Sequence, residues 1–514
     1  MISVSDAWKD IQQRFLLPET FIEIDCAITE EGVQEAATGS AMYEEVFSNV
    51  ESILDNDKNI ARYATNELNL WALDGTRIIL PDDEAEYADA GYVSNIESTG
   101  SVTLSFPEIR ESAVAGVTIS WSEEYGECPS VFTVAAKNRG VIVAETTITN
   151  NTTPTSVVSL KLENYDSITV TVHSWFLPNR RARIEKFSIG HVLTLTKADI
   201  LSFSHEQYGD LLSGELPKYS IEFTLDNSDG RWNPNNPTGM EQYLSERQKL
   251  TVRYGLDNNG TIEWIKAGTF YLSEWDAPSN GIEARFVARD VLEYLMGTDT
   301  SKSANMSSTQ YGNLSHIVTW AASTLLPPGA SVDVDSSLST TAGREYKGDG
   351  TYAEMVQKCA NAACCILRYD RDGVLYVEPL NMTLTDYRIT QALSYSHPEI
   401  KLSKHLKEVE VDYGGEMPYS LIVSKDGEQQ TVTNDYIYTS SAAEKVANWV
   451  GGILKSRKTI SGEFRADPRL DLYDIVTVES KYGAMTPVVI TSIKYTFNGA
   501  FRGTYTGRVL EATS

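Results

Sequence analysis

Apolar and polar residues take turns most regularly over residues 218–225, where Tyr219, Ile221, Phe223 and Leu225 fall on one side of a strand. A dense run of turn formers follows at 226–237, in which Gly, Pro, Asn and Asp each supply special backbone angles. Residues 248–254 predict the next strand, and Leu256-Asp257-Asn258-Asn259-Gly260 a tight turn. Trp264-Ile265 and residues 268–275 predict one further strand or a pair. Asn280-Gly281 turns the chain into 282–288, and Asp290 is placed to cap a short helix through Leu295. Hairpins in succession, closed by one short helix, predict a small antiparallel barrel.

The rest of the chain divides by its periodicity. Residues 1–99 predict a short helix or arm at 6–15, a strand at 20–28 and a polar, helix-like run at 39–54. Residues 100–190 predict a self-contained β-sandwich: 102–106 and 117–121 alternate, and Ile168, Val170 and Val172 oppose Thr169, Thr171 and His173. In 299–400, Leu314, Ile317, Val318, Ala321 and Leu325 share one helical face, which Pro327-Pro328-Gly329 ends. Thr351 and Glu354 have the spacing of a capping box, opening a helix whose inner face carries Tyr352, Met355, Val356, Cys359 and Ala363. A hairpin over 366–379 turns at Asp370-Arg371-Asp372-Gly373. Residues 401–514 return to strands at 408–413, 421–424, 471–478, 487–497 and 504–510, with a helix at 442–455.

At 514 residues the chain is long enough for three to five domains. Acidic residues outnumber basic ones 71 to 43, for a formal charge of −28. That balance argues against a nucleic-acid or anionic-membrane surface, which needs Lys/Arg patches. The five cysteines are odd in number and irregular in spacing, so they read as small buried hydrophobes kept reduced, without disulfide or zinc spacing. No cleavable signal and no apolar run of membrane-spanning length is present.

Catalytic chemistry has no constellation here. The six histidines are scattered, and no nucleophile elbow, zinc-protease or phosphate-loop motif occurs. A pair of carboxylates could serve a glycosidase, but 71 acids single out no pair. The run 81–127, with eleven acids and one base, reads as a solvated face. Asp226-x-Ser228-x-Gly230 lacks the ligand spacing of a calcium loop and reads as a turn, as does Asp370-x-Asp372-Gly373. No cofactor or metal is expected. In the sandwich, aromatic faces that stack on sugars and planar cations that bind hydroxyls are available at Trp121, Tyr125, Trp175, Phe176, Arg180 and Arg181, against core packing for Trp121 and Trp175.

The segments "IEFTLDNSDGRWNPNNPTG", "LTVRYG", "AGTFYLSEW" and "ARFVARDVLEYL" resemble the first barrel of tail hub proteins from long-tailed bacterial viruses and prophages. "ATNELNLWALDGT" resembles hub N-termini, "YAEMVQKCANAACCILRYDRDGVLYVEPL" their α+β domain, and "ADPRLDLYDIVTVESKYG" with "VVITSIKYTFNGAFRG" their second barrel. "FTVAAKNRGVIVAETTITN", "LENYDSITVTV" and "NRRARIEKFSIG" resemble a galactose-binding-like sandwich of the carbohydrate-binding-module type. The implied fold is mainly β with α+β parts: two tube-like antiparallel β-barrel domains, an inserted β-sandwich and a small α+β domain. The implied division is 1–99 and 191–298 for the first barrel, 100–190 for the insert, 299–400 for the α+β domain and 401–514 for the second barrel.

The resemblance further implies a homotrimer in the virion, assembled in the host cytoplasm, in which three chains place six barrels around the tail axis. Expected partners are the distal tail protein or tube ring, the tape measure protein, tail-tip or receptor-binding proteins, and host polysaccharide through the insert. Specific nucleic-acid binding is not expected; the acidic charge either serves solubility or keeps passing DNA from sticking. Two other functions compete: a tail-associated cell-wall or capsule hydrolase, and a free glycan-binding protein. The ending at Ser514, directly after the second barrel-like stretch, leads to the expectation that any hydrolase is a separate polypeptide.

Overall fold

The structure is a computed structural model that describes residues 1–14, 19–29, 33–41, 53–54, 64–65, 100–121, 128–175, 183–236, 239–258, 260–277, 281–298, 300, 311–327, 330–345 and 350–509. The chain is mainly β, with several antiparallel sheets and few helices. It forms two units: Met1–Ile24, Leu195–Asn233 and Leu250–Ser514 make one, and Asp25–Thr194 with Pro234–Lys249 the other.

The smaller unit is a sandwich. One sheet runs Thr38–Ala41, Ser101–Arg110, Tyr165–Trp175, Pro129–Asn138, Val141–Ile148 in spatial order; the other runs Ala64–Thr65, Arg183–Ile189, Val114–Trp121, Thr155–Leu162. Inward positions from both sheets, among them Val102, Leu104, Phe132, Val134, Ile168, Val170, Val172, Val117, Ile119 and Phe187, make one core. This is the alternation read from the sequence, with period two setting which residues are covered. The sandwich starts earlier than residue 100. Val33 and Ile53 sit in its core, and Gln34 accepts from the Ile189 N–H and donates to the Phe187 carbonyl. The strand Thr38–Ala41 lies where a polar helix was expected, because its partner strand Ser101–Arg110 supplies the ladder bonds that a short polar run cannot supply for itself. Residues 42–52 of the 39–54 run, and 66–76, lie outside the described residues.

The larger unit carries the long sheet. From Lys249–Asn258 it proceeds through Thr261–Asp276, Glu283–Arg289, Lys218–Asp226, Ile200–Tyr208, Met485–Phe497, Phe501–Val509 and Lys458–Phe464 to Glu399–Leu402. Thr261–Asp276 is a single 16-residue strand, kinked where its register with Glu283–Arg289 shifts between Leu272 and Glu274. Met485–Phe497 is shared. Its first half pairs with Ile475–Glu479 and its second half with Ile200–Tyr208. The two stretches expected as separate barrels are therefore joined in one hydrogen-bonded sheet.

The α+β part packs helix Leu314–Leu325 and helix Tyr352–Ala362 beside a small sheet of Ser331–Val334, Val374–Glu378 and Ile366–Tyr369. The capping box at Thr351 and Glu354 forms as the spacing predicts. Helix Ser440–Leu454, capped by Thr439, lies on the sheet of Leu406–Asp412, Tyr419–Ile422 and Glu428–Thr433. Strands Leu384–Ile389, Glu399–Leu402 and Lys458–Phe464 had no predicted counterpart, since none alternates cleanly.

At Gly116 the sandwich has no room for a side chain. Its φ is +148°, and a Cβ would lie 1.9 Å from the Val158 carbonyl oxygen. Gly116→Ala is expected to lower stability by about 3 kcal/mol, read as a lower midpoint for the loss of sandwich amide protection. An unchanged midpoint contradicts this.

Candidate functional site

A densely bonded region of the larger unit is built on strand Ile200–Tyr208. Strand Ile200–Tyr208 turns alternate residues inward, which buries His205 and Gln207. Burial, and secondarily the charge of Arg371, pull the His205 pKa down to about 3, so the ring is neutral. Gln207 fixes its tautomer. The Gln207 Oε1 accepts from the Leu472 N–H at 3.0 Å, which leaves its Nε2 to donate to His205 Nε2 at 3.3 Å. Nδ1 then carries the proton and donates to the Tyr254 hydroxyl at 2.8 Å.

Arg371 closes this region from the hairpin Ile366–Tyr369 to Val374–Glu378. The turn itself is made by Asp370, whose carboxylate accepts from the N–H groups of Asp372 and Val374 at 2.9 Å each. That turns Arg371 inward, where it is 6% exposed. Its guanidinium donates to Asp471 Oδ1 at 2.9 and 2.7 Å and to the carbonyls of Lys266, Pro468 and Leu470. The Tyr495 hydroxyl lies 2.8 Å from the Leu470 carbonyl and 3.1 Å from that of Asp467. Asp467 and Arg469 form a buried pair in the same loop, with Nη2 to Oδ2 at 2.6 Å. One cation thus ties strand Thr261–Asp276, the α+β hairpin and the 466–474 loop together. The sequence reading missed it, because an arginine inside a D-R-D-G turn has the pattern of a solvated tip.

Asp290 makes a second buried clamp. It is one position before the N-cap residue of helix Leu292–Met296, yet its carboxylate caps the helix, accepting from Leu292 N–H at 2.7 Å and from Tyr219 N–H at 3.0 Å. Burial pushes its pKa up to about 7, outweighing both backbone bonds.

In the sandwich, the six residues proposed for sugar contact separate. Trp121 is fully buried, donating from Nε1 to Ser156 Oγ at 3.0 Å and packing edge-on against Phe132. Trp175 is 3% exposed in the same core. Neither offers a ring face to a ligand: both occupy inward positions of their strands, where the apolar area they bury outweighs any exposed use. Tyr125, Phe176, Arg180 and Arg181 lie outside the described residues. The outer face of the five-stranded sheet instead presents short hydroxyl side chains. Ser101, Thr171, Thr133 and Thr147 form one row, and Ser40, Thr103 and Thr169 belong to the next. Thr133 also bonds His173. Among the described residues no group of three or more His, Cys, Asp or Glu side chains could hold a metal ion, and all five cysteines are free.

No protein-family model matches the chain, and no curated protein matches it in sequence. The solved structures similar to it include three described as tail proteins. The 43 kDa tail protein of prophage MuSo2 from Shewanella oneidensis is 13% identical, covering 61% of this chain and 94% of its own, with a TM-score of 0.44. The tail protein from Neisseria meningitidis MC58 is 11% identical over 62% of this chain and 94% of its own, with a TM-score of 0.45. Prophage tail protein gp18 from Listeria monocytogenes EGD-e is 12% identical over 63% and 92%, with a TM-score of 0.41.

Asp290 gives this region a pH dependence of defined sign. Its folded pKa of about 7 lies above an unfolded value near 3.9, so between them the folded state holds a proton that the unfolded state has released. The stability it contributes is present at low pH and is lost as pH rises toward and through 7. Between pH 5 and 7.5, wild type is expected to lose denaturant stability relative to Asp290→Asn, by at most about 1.4 kcal/mol per pH unit. A wild type that gains relative to the variant contradicts the assignment.

Proposed function

We propose that this chain is a structural virion protein: the trimeric hub at a tail tip, joining the tail tube to the tip and lining the channel through which DNA leaves. The carrying observation is the pairing of Ile200–Tyr208 with both Lys218–Asp226 and Met485–Phe497. These strands belong to the two stretches whose sequences resemble the first and second barrels of tail hubs. Their union makes one continuous wall from two barrel-like halves, which is the element a tube needs, and three such walls would close a ring around an axis.

The partners in this reading are two further copies, the tube ring or distal tail protein above, and the tape measure and receptor-binding proteins. The sandwich contributes a sheet face rich in Ser and Thr hydroxyls, with Glu145 among them, for host polysaccharide, and Tyr125, Phe176, Arg180 and Arg181 stay its candidate sugar contacts. Its role is contact and not hydrolysis, and the purified chain is expected to release no reducing sugar or muropeptide from cell-wall or capsule preparations.

The test is mass and shape together. Light scattering across the micromolar range is expected to give three chains per particle, and electron-microscopic class averages a ring with an axial opening. A one-chain mass throughout, or a trimer with no axial opening, contradicts the hub reading.

A further inference from the structure

The long sheet of the larger unit ends at Glu399–Leu402, and this end departs in charge from the rest of the chain. Residues 401–407 and 455–458 together contain Lys401, Lys404, Lys407, Lys455, Arg457 and Lys458 and not one acid, in a chain where acids outnumber bases 71 to 43. The fold brings the two stretches side by side. Lys401 pairs with Thr459 and Leu402 with Lys458, and the Ser403 N–H donates to the Arg457 carbonyl. Lys404 has an ion pair with Glu428, and Lys401 lies 3.8 Å from Glu399. Lys407, Lys455, Arg457 and Lys458 make no ion pair among the described residues.

Among the described residues the strand is open on its other side. All four residues of Glu399–Leu402 are exposed, and among the described residues they pair only with Lys458–Phe464. Because Ser403 directs its N–H inward, antiparallel alternation directs the backbone groups of Ile400 and Leu402 toward the free edge. Their side chains are 52% and 63% exposed. A single lysine is enough to protect an edge strand from chance pairing. Four cations without an ion pair among the described residues, beside two uncovered aliphatic residues, exceed that need. Nucleic acid would use the cations but would gain nothing from Ile400, Leu402 or the unpaired strand edge, whereas a protein strand uses all three.

We propose that the free edge of Glu399–Leu402, with its cationic rim, receives a second copy of this chain, which adds an acidic stretch of its own surface as the next strand. Charge identifies the occupant. The formal charge of −28 makes the chain's remaining surface the complement of this patch, and a contact between unlike patches of identical chains is the heterologous kind that closes rings. The inference rests on the trimeric reading above and names one side of its interface.

Two full-length variants test it by light scattering beside wild type. Lys401→Glu/Lys458→Glu reverses exposed charges. Ile400→Pro removes an N–H that faces the open edge, so it blocks strand addition at small cost to the isolated chain. Circular dichroism checks that each variant folds, and the charge reversal keeps the test open should the proline variant fail to fold. Wild type is expected at three chains per particle and each folded variant at one, a threefold loss of mass. A trimeric wild type with trimeric variants overturns this inference and leaves the hub reading standing. A wild type that stays at one chain overturns both. Retention of a short DNA duplex by wild type, lost in the charge reversal while the trimer persists, overturns it in favour of nucleic acid.

Discussion

The sheet of the larger unit depends on one buried cation. Arg371 reaches inward from a hairpin turn and satisfies Asp471 together with carbonyls from Lys266, Pro468 and Leu470. A charge this buried is tolerable only because each of its three nitrogens finds a partner. In return it holds the 466–474 loop in the position from which Leu472 bonds Gln207. Through that contact it orients the inner face of Ile200–Tyr208, the strand on which both halves of the sheet meet. The neutral His205 belongs to the same logic. Beside Arg371, a protonated ring would be a second buried cation without a counter-charge.

Period two and cap spacing were the legible parts of this fold. The 218–225 alternation gave Lys218–Asp226, and Thr351 with Glu354 gave the start of helix Tyr352–Ala362, because each signal is local and is read from a few neighbouring residues. Three things were not local. The start of the sandwich was hidden, since Thr-Gly-Ser-Ala becomes a strand only through the ladder offered by Ser101–Arg110. The joining of the two barrel-like stretches was hidden too, because the Ile200–Tyr208 to Met485–Phe497 pairing spans almost 300 residues of sequence. Arg371 was read as a turn residue for the same reason: its partners lie about 100 residues away.

Two of the candidate sugar contacts, Trp121 and Trp175, are buried. Trp121 continues the inward alternation of Val117 and Ile119, whereas Trp175 lies beyond the predicted 168–173 alternation and is turned inward by a register shift near Val131. The core of the sandwich took both rings. What remains outward is the set of Thr and Ser positions that oppose Ile168, Val170 and Val172, a face legible as polar but not as a hydroxyl lattice across five strands. Charge divides along the same lines. A chain of −28 concentrates cations at one strand edge, which no composition average reveals.

The central structural claim is that two sequence-distant stretches form one cooperative wall around Arg371. Hydrogen exchange by mass spectrometry on Arg371→Met tests it directly. Removing one partner of a buried ion pair costs about 3–5 kcal/mol, so exchange is expected to accelerate by roughly 100-fold to several thousand-fold, and by the same factor, in peptides covering Ile200–Tyr208 and Met485–Phe497. Acceleration confined to one of the two strands, or absent from both, contradicts a shared wall.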